Sequence, residues 1–511
     1  MKKPLQIRLG SSAVGHNLAE YLARAGYLLH ADCGGRGTCG KCRVRLTAGD
    51  LYENSACTRF AKPDGEGYVL ACRVWCCSGA IIELPAQEGD GLTAFEAQTS
   101  SDNTHSKGLG IALDVGTTTL AAALVDPADG KVLATVSALN PQASYGADVI
   151  SRIHAVMEHP ETLEQMQHVL LCRVRDMIRE LAPGELAPDK HLSRMTVAGN
   201  PTMLHIFFGI SPAGMGAYPF TPAFVDARTV AGAELDLPVD TVTCLPSISA
   251  FVGGDITAGM LHTRLTDAEQ PVLLLDVGTN GESVLYTGKA RQGKLYATSA
   301  AAGPALEGAG ISTGMGGVAG AVSAVRFQGN TPVCSTVGDV PARGICGSGL
   351  VDLVACLYTA DLIDETGALE HGDAFTYATT ADGLSLELTQ ADVRALQLCK
   401  SAIRASIDAL CARAGIGTDE LSCICLAGGL GYYMSVPSAV AIGLLPAGIE
   451  NRTKSVGNSS LGGCVRALVD EGAIERITAE AERTQTLELS TDAVWNQSFM
   501  ENMMFPEKDK T

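Results

Sequence analysis

Three patterns of apolar and polar residues follow one another along the 511-residue chain. As far as Pro85, short segments such as "LQIRLG", "CRVRLTAG" and "GAIIELP" alternate apolar with polar positions, which predicts a small sheet. Residues 86–107, "AQEGDGLTAFEAQTSSDNTHSK", are polar and without period, and predict a linker. Beyond it, apolar runs of strand length alternate with helix-like stretches such as "ADVISRIHAVME", "TLEQMQHVLLCRVRDMIRELA", "GLVDLVACLYTADLI" and "DVRALQLCKSAIRASIDALCARAG". That alternation is the mark of an α/β domain.

The third region repeats one pattern. "GLGIALDVGTTTLAAALVD" (108–126) and "PVLLLDVGTNGESVLYTG" (271–288) each place an apolar strand, then Asp-Val-Gly-Thr, then a second apolar strand. Two copies predict a duplicated domain with a cleft between its halves. A Gly-Thr turn between strands aims backbone N–H groups and hydroxyls at a phosphate, and an aspartate at the first strand's end can hold a hydrated magnesium ion. The candidates are Asp114, Gly116, Thr117, Thr118 and Thr119 in the first copy and Asp276, Gly278, Thr279, Asn280 and Gly281 in the second.

Charge and composition narrow the partners. A formal net charge of -19 argues against nucleic acid and anionic membranes, and aromatics at 5% argue against stacking platforms. The charge is uneven: residues 1–85 hold 11 Lys+Arg against 7 Asp+Glu, while the remainder is strongly acidic. No apolar run long enough for a signal peptide follows "MKKPLQIRLG", and none approaches membrane-spanning length, so a cytoplasmic protein is expected. Its 17 cysteines then read as ligands and buried thiols rather than disulfides.

Seven of those cysteines precede residue 80. Cys33, Cys39 and Cys42, in "CGGRGTCGKC", are spaced C-x5-C-x2-C, and Cys72 follows after 29 further residues. The spacing is close to the plant-type 2Fe-2S pattern. Gly34, Gly35, Gly37 and Gly40 let the loop wrap a small anionic cluster and turn N–H groups toward sulfur. Gly35 to Lys41 also matches a phosphate loop, but Cys42 stands where Ser or Thr would hold magnesium. Structural zinc favours two close cysteine pairs, and only Cys39 and Cys42 form one. Cys57, Cys76 and Cys77 are left over, with Cys76 the rival to Cys72. This part resembles the β-grasp 2Fe-2S ferredoxins.

A third glycine cluster, "ICLAGGLGYYMSVPSAVAIG" (424–443), follows an apolar strand. With the two repeated turns it resembles the phosphate and adenosine motifs of the superfamily containing actin, hexokinase and heat-shock chaperone ATPases, whose folds are ribonuclease-H-like. The resemblance implies adenosine contacts at Gly428, Gly429 and Gly431, and a connecting helix start at Gly347 in "GICGSGLVDL". It also implies a residue that orients the attacking water; Asp255, in "GGDITAGMLHT", stands 21 positions before Asp276 and is the candidate, with a helix N-cap as its plainer role. "QLCKSAIR" resembles the stretch that packs on adenine, which nominates Gln397 and Lys400; Lys400 reads equally as a solvated helix charge.

A ferredoxin joined to this ATPase fold resembles the reductive activators of corrinoid-dependent enzymes. The matching phrases are "NPQASYGADVISRI", "VAGNPTMLH", "FVGGDITAG", "AAGPALEGAGISTGM", "VGNSSLGG" and "FMENMMFPE", spread over nearly the whole chain. The resemblance implies an ATP-hydrolysing enzyme that takes an electron through a 2Fe-2S cluster and reduces a cobalt(II) corrinoid protein to cobalt(I), with ATP and Mg as further cofactors. A plant-type cluster sits near about -400 mV, and each ~59 mV of uphill one-electron transfer costs about 1.4 kcal/mol, so a lower-potential acceptor needs a second energy source. Expected partners are a corrinoid protein of a methyltransferase system and an electron donor; a homodimer is the assembly considered. Two other readings remain open, a small-molecule kinase with a redox-sensing ferredoxin part and an ATP-gated ferredoxin adapter.

The expected organisation is a ferredoxin domain (1–85), a linker (86–107), ATPase halves (108–268 and 269–490) and a tail (491–511). Larger relatives are expected to insert a middle domain after the ferredoxin, and here the linker runs almost at once into the first phosphate strand.

Overall fold

The computed structural model describes residues 5–10, 13–24, 42–54, 57–84, 108–182, 191–278, 280–329 and 331–508. Two compact units divide the chain near Cys244 and Leu245.

In the first unit, the alternating segments form a four-stranded sheet of order β1-β4-β2-β3: β1 (Leu5–Arg8), β2 (Arg43–Ala48), β3 (Tyr68–Leu70) and β4 (Ile81–Leu84), with helix α1 (Leu18–Arg24). Leu9, Leu18, Leu22, Val44, Leu51 and Ile82 fill the core between sheet and helix. The expected small sheet is present.

A six-stranded sheet, β7-β6-β5-β8-β10-β9, makes up the rest of this unit: β5 (Leu109–Val115), β6 (Thr119–Asp126), β7 (Lys131–Leu139), β8 (Leu192–Gly199), β9 (Arg228–Ala231) and β10 (Thr241–Cys244). Its helices are α2 (Val149–Glu158), α3 (Thr162–Leu181) and α4 (Pro201–Phe207). Only Asp114 among the residues of β5 is not fully buried, which is why that strand reads as an unbroken apolar run ending in an acid.

The second unit opens with α5 (Gly254–Thr263) and builds a matching sheet, β20-β19-β11-β12-β13-β21. Its strands are β11 (Val272–Val277), β12 (Gly281–Tyr286), β13 (Leu295–Ala300), β19 (Cys423–Ala427), β20 (Thr453–Gly457) and β21 (Gln485–Thr486). Inserted after β13 are β14 (Ala321–Gln328), β15 (Thr331–Thr336), β16 (Gly344–Ile345), α6 (Gly347–Thr359), β17 (Ala374–Thr379), β18 (Ser385–Thr389) and α7 (Gln390–Ala414). Helices α8 (Gly428–Tyr433), α9 (Val436–Ala441), α10 (Ser459–Val469), α11 (Ala473–Arg483) and α12 (Ala493–Glu501) complete it. No helix among the described residues is long and apolar enough to cross a membrane.

The repeat seen in sequence is a repeat of topology. In one sheet β5 pairs antiparallel with β6 and parallel with β8; in the other β11 pairs antiparallel with β12 and parallel with β19. Each Asp-Val-Gly-Thr segment therefore sits at the end of a central strand, where the hairpin turns back.

Helix α5 belongs with the second unit, although it was expected in the first ATPase half. Its tightest packing is on α10, where a side chain on Gly463 would meet the Ala258 carbonyl oxygen at 2.0 Å. Only glycine allows two helices to approach this closely. The phrase "VGNSSLGG" thus sets the seat of the helix that carries Asp255.

Candidate functional site

The cysteine site follows from strand pairing. β2 and β3 pair antiparallel with Arg43 opposite Leu70, so the residues just outside the pair, Cys42 and the turn at Ala71–Arg73, meet; the Ala71 N–H donates to the Cys42 carbonyl at 2.9 Å. Cys42 and Cys72 are both buried, with Sγ atoms 3.2 Å apart. Asn17 Nδ2 holds the Cys72 carbonyl at 3.1 Å. Cys33 and Cys39 lie outside the described residues. Cys76, the rival to Cys72, is fully buried within the apolar core, and burial pushes its thiol up to about 12. Cys42 and Cys72 belong to the same buried cluster, and what sets them apart from Cys76 is that their sulfurs face each other.

Two facing thiols form half of a four-thiolate donor set, with the other two candidates, Cys33 and Cys39, nine and three positions before Cys42 in the sequence. The residues present therefore fit a 2Fe-2S cluster.

The first Gly-Thr turn, Gly116 to Thr119, is held from behind through its oxygens. The Gly116 carbonyl accepts from Asn140 Nδ2 at 2.8 Å, the Thr117 carbonyl from Arg152 Nη2 at 2.7 Å, and the Thr118 carbonyl from the Asn140 N–H at 2.8 Å. Asn200 Nδ2 donates to Thr117 Oγ1 at 2.9 Å. Among the described residues nothing accepts from the N–H groups of Thr117 or Thr118. Free amides beside fully engaged carbonyls are what an anion requires. Asn140, Arg152 and Asn200 went unnoticed as site residues in the sequence, although each lies in a phrase marked above.

In the second unit, Asp276 and Glu282 are cross-strand partners on β11 and β12, and Asp276 also pairs with Ala427 at the end of β19. The Gly278 N–H bonds the Asn280 carbonyl at 3.0 Å, closing the turn; Thr279 lies outside the described residues. Gly428 starts α8 with φ +84°, and a side chain there would lie 2.6 Å from Asp276 Oδ1, so the third glycine cluster meets the second phosphate turn directly. Gly429 and Gly431 follow it on α8. Gly347 opens α6 against the Leu306 carbonyl.

Asp255 is the second residue of α5; the N-cap is Gly253, so the plainer role expected for Asp255 does not apply. One of its carboxylate oxygens accepts from the Ile256 N–H at 2.9 Å. Glu282 lies close to both aspartates: burial first, then the charges of Asp255 and Asp276, raise its carboxyl well above the usual range, while Asn280 opposes this with a hydrogen bond. Three clustered carboxyls need a proton or a cation to coexist. No three such side chains among the described residues come close enough to hold a metal ion directly. The two copies of the repeat hid Glu282 by their likeness; it aligns with the apolar Leu120, and that single difference was its signal.

Gln397 and Lys400, expected against adenine, do something else. Both are fully buried on α7. Gln397 Nε2 donates to the carbonyls of Met503 (2.6 Å) and Thr366 (3.0 Å), and Lys400 Nζ to those of Asn502 (2.6 Å) and Met504 (2.7 Å). They fasten the C-terminal tail, and Gln397 Oε1 accepts from Arg394 Nη1 at 2.6 Å, so the polar atoms of both side chains are engaged within the protein. Burial, with help from Arg404, drags Lys400 down to about 7, against 10.5 in the unfolded chain. Between these values the unfolded chain binds more protons, so Lys400 adds stability as pH rises from about 7. Denaturant unfolding of wild type and Lys400→Met should therefore show a stability difference that grows from pH 7 to pH 9.

With the geometry in place, the comparisons decide the family. Residues 109–268 match the family profile described as "RACo middle region", residues 270–511 "C-terminal domain of RACo the ASKHA domain", and residues 11–77 "2Fe-2S iron-sulfur cluster binding domain". The chain is 34% identical over 421 residues to the corrinoid activation enzyme RamQ of Eubacterium limosum, covering 78% of this chain and 70% of that one. It belongs to the family of corrinoid reductive activators.

A second relative, from Methanosarcina barkeri, is named a Co(II) methylated amine-specific corrinoid protein reductase and is 26% identical, with 76% of each chain covered. The solved structure of a reductive activator for corrinoid, iron-sulfur protein superposes with a TM-score of 0.70 at 30% identity over 98% of this chain. One expectation needs correction: the family's middle region is present here. It is the segment 109–268, which carries the first Asp-Val-Gly-Thr turn. The family boundary at 268–270 also differs from the packing boundary near residue 244, because α5 packs across it onto α10.

Proposed function

We propose that this protein is an ATP-dependent reductive activator that returns a cobalt(II) corrinoid protein to cobalt(I). The observation that carries the reading is the presence, on one chain of this family, of a buried thiol pair beside a small sheet and of two Asp-Val-Gly-Thr turns, each at the end of a central strand of its own sheet. Cys33, Cys39, Cys42 and Cys72 would hold the 2Fe-2S cluster, which supplies a one-electron carrier when bound. The Thr117 and Thr118 amides, and the turn from Gly278 to Gly281, bind phosphate oxygens; Gly428, Gly429 and Gly431 receive the nucleoside. Asp114 and Asp276 would engage magnesium through its water shell. Asp255, on the helix seated by Gly463, orients the attacking water and takes its proton.

ATP matters because binding and hydrolysis can shift a conformational equilibrium only through differential affinity, which ATP and its products provide. A cytoplasmic setting, an acidic electron donor for the mildly basic ferredoxin part and a homodimeric assembly belong to the same proposal. Nothing in the geometry favours a small-molecule kinase.

The test is an anaerobic optical assay with the holoprotein, a low-potential reductant and a purified cobalt(II) corrinoid protein. Cobalt(I) absorbance should appear only with ATP and magnesium. Equal rates without ATP, or with a non-hydrolysable analogue, would refute the reading.

A further inference from the structure

Among the described residues Arg152 is the largest fully buried side chain, at 0% exposure, and no carboxylate among them pairs with it. Its fork is spent on neutral acceptors: the Gly146 carbonyl at 3.0 Å, Gln142 Oε1 at 3.2 Å, the Met203 sulfur at 3.0 Å and the Thr117 carbonyl at 2.7 Å. Burial pushes the guanidinium down to about 9, only partly offset by the charge of Asp148. A buried cation without a counter-ion is costly, and fold stability alone would be served as well by an apolar side chain of the same size.

The phosphate turn supplies a reason. A trans peptide is planar, with its C=O and N–H pointing in opposite directions. Holding the Thr117 oxygen from behind therefore presents the Thr118 N–H on the far side, and Asn140, by holding the Gly116 oxygen, does the same for the Thr117 N–H. Without these anchors either peptide could rotate and set a carbonyl oxygen where an anion should sit.

We infer that Arg152 is a positioning residue for phosphate: its fork locks the Thr117–Thr118 peptide, with Asn140 and Asn200, so that two amides face the anion. The inference rests on the nucleotide reading above. The α2 start that delivers Arg152 is itself fixed, since Asp148 caps it by accepting from the Ser151 N–H at 2.7 Å.

The experiment compares ATP with adenosine as ligands for the full-length holoprotein, by calorimetry. Arg152→Lys keeps a positive charge but cannot span the fork, and should weaken ATP about tenfold or more while leaving adenosine affinity unchanged. Asn200→Ser keeps an oxygen for the α4 N-cap but loses the reach to Thr117, and should weaken ATP about threefold. Cluster absorbance and a single cooperative melt report an intact chain; if Arg152→Lys does not fold, Asn200→Ser decides. Unchanged ATP affinity in the folded variants, or parallel losses for ATP and adenosine, would overturn the inference. A wild type that binds adenosine and ATP equally weakly would instead overturn the nucleotide reading, and the inference with it.

Discussion

Asp255→Asn should lower corrinoid-stimulated ATP hydrolysis by about 10²- to 10⁴-fold, the usual contribution of a positioned general base. The same change should make the free protein more stable. The Glu282 carboxyl is raised well above its ordinary range by burial first and then by the charges of Asp255 and Asp276. A carboxyl whose folded value is raised contributes stability below its unfolded value, and that contribution is lost as pH rises through the folded value. At neutral pH the three acids therefore strain one another. Removing the Asp255 charge relieves part of that strain, and a gain of about 0.5–2 kcal/mol is expected in the absence of magnesium and nucleotide, as for other sites where function opposes stability. Steady-state ATPase rates and melting curves at pH 5 and pH 8 check both halves: the stability gain should shrink at pH 5. A variant equally active, or destabilised at both pH values, would remove Asp255 from the role assigned to it.

The second large effect concerns the cysteines. Cys72→Ser in the full chain should abolish the visible cluster absorbance and reduce cobalt(II) reduction to background, while ATP still binds. The pairing of β2 with β3 brings Cys42 and Cys72 to 3.2 Å, so loss of either thiol leaves the other facing an oxygen that binds iron far less well. Cys76→Ala is the matched control. It removes a core sulfur and costs stability by the cavity it leaves, yet should retain the colour. Retained absorbance in Cys72→Ser with loss in Cys76→Ala would exchange the two assignments.

The cysteine spacing and the duplicated Asp-Val-Gly-Thr were legible because both are local. A cluster loop needs glycine and thiol at short intervals, and a phosphate turn needs an acid, a glycine and a hydroxyl within a few residues. The α/β class was legible for a related reason: strands buried on both faces read as apolar runs, and β5 shows one with a single acid at its end. Lys400 shows where this stops. It could be read as a solvated charge only by overlooking that Val393, Leu396, Gln397, Ile403 and Ile407 line the same buried side of α7. A polar residue within such a stripe must find partners inside the protein, and which partners, here the tail carbonyls from Asn502 to Met504, depends on segments a hundred residues away.

The sequence by itself determined which short segments are candidates for chemistry: thiols at cluster spacing, two Asp-Val-Gly-Thr turns, an acid near a helix start. Tertiary structure decided which groups are available to act. It spent Lys400 on the tail, brought the Cys42 and Cys72 sulfurs together, gave α5 and Asp255 to the second unit through Gly463, and set Arg152, Asn140 and Asn200 behind the Gly116–Thr119 turn. Hydrogen bonding and close packing join residues without regard to their separation along the chain, so no local pattern could have announced these outcomes.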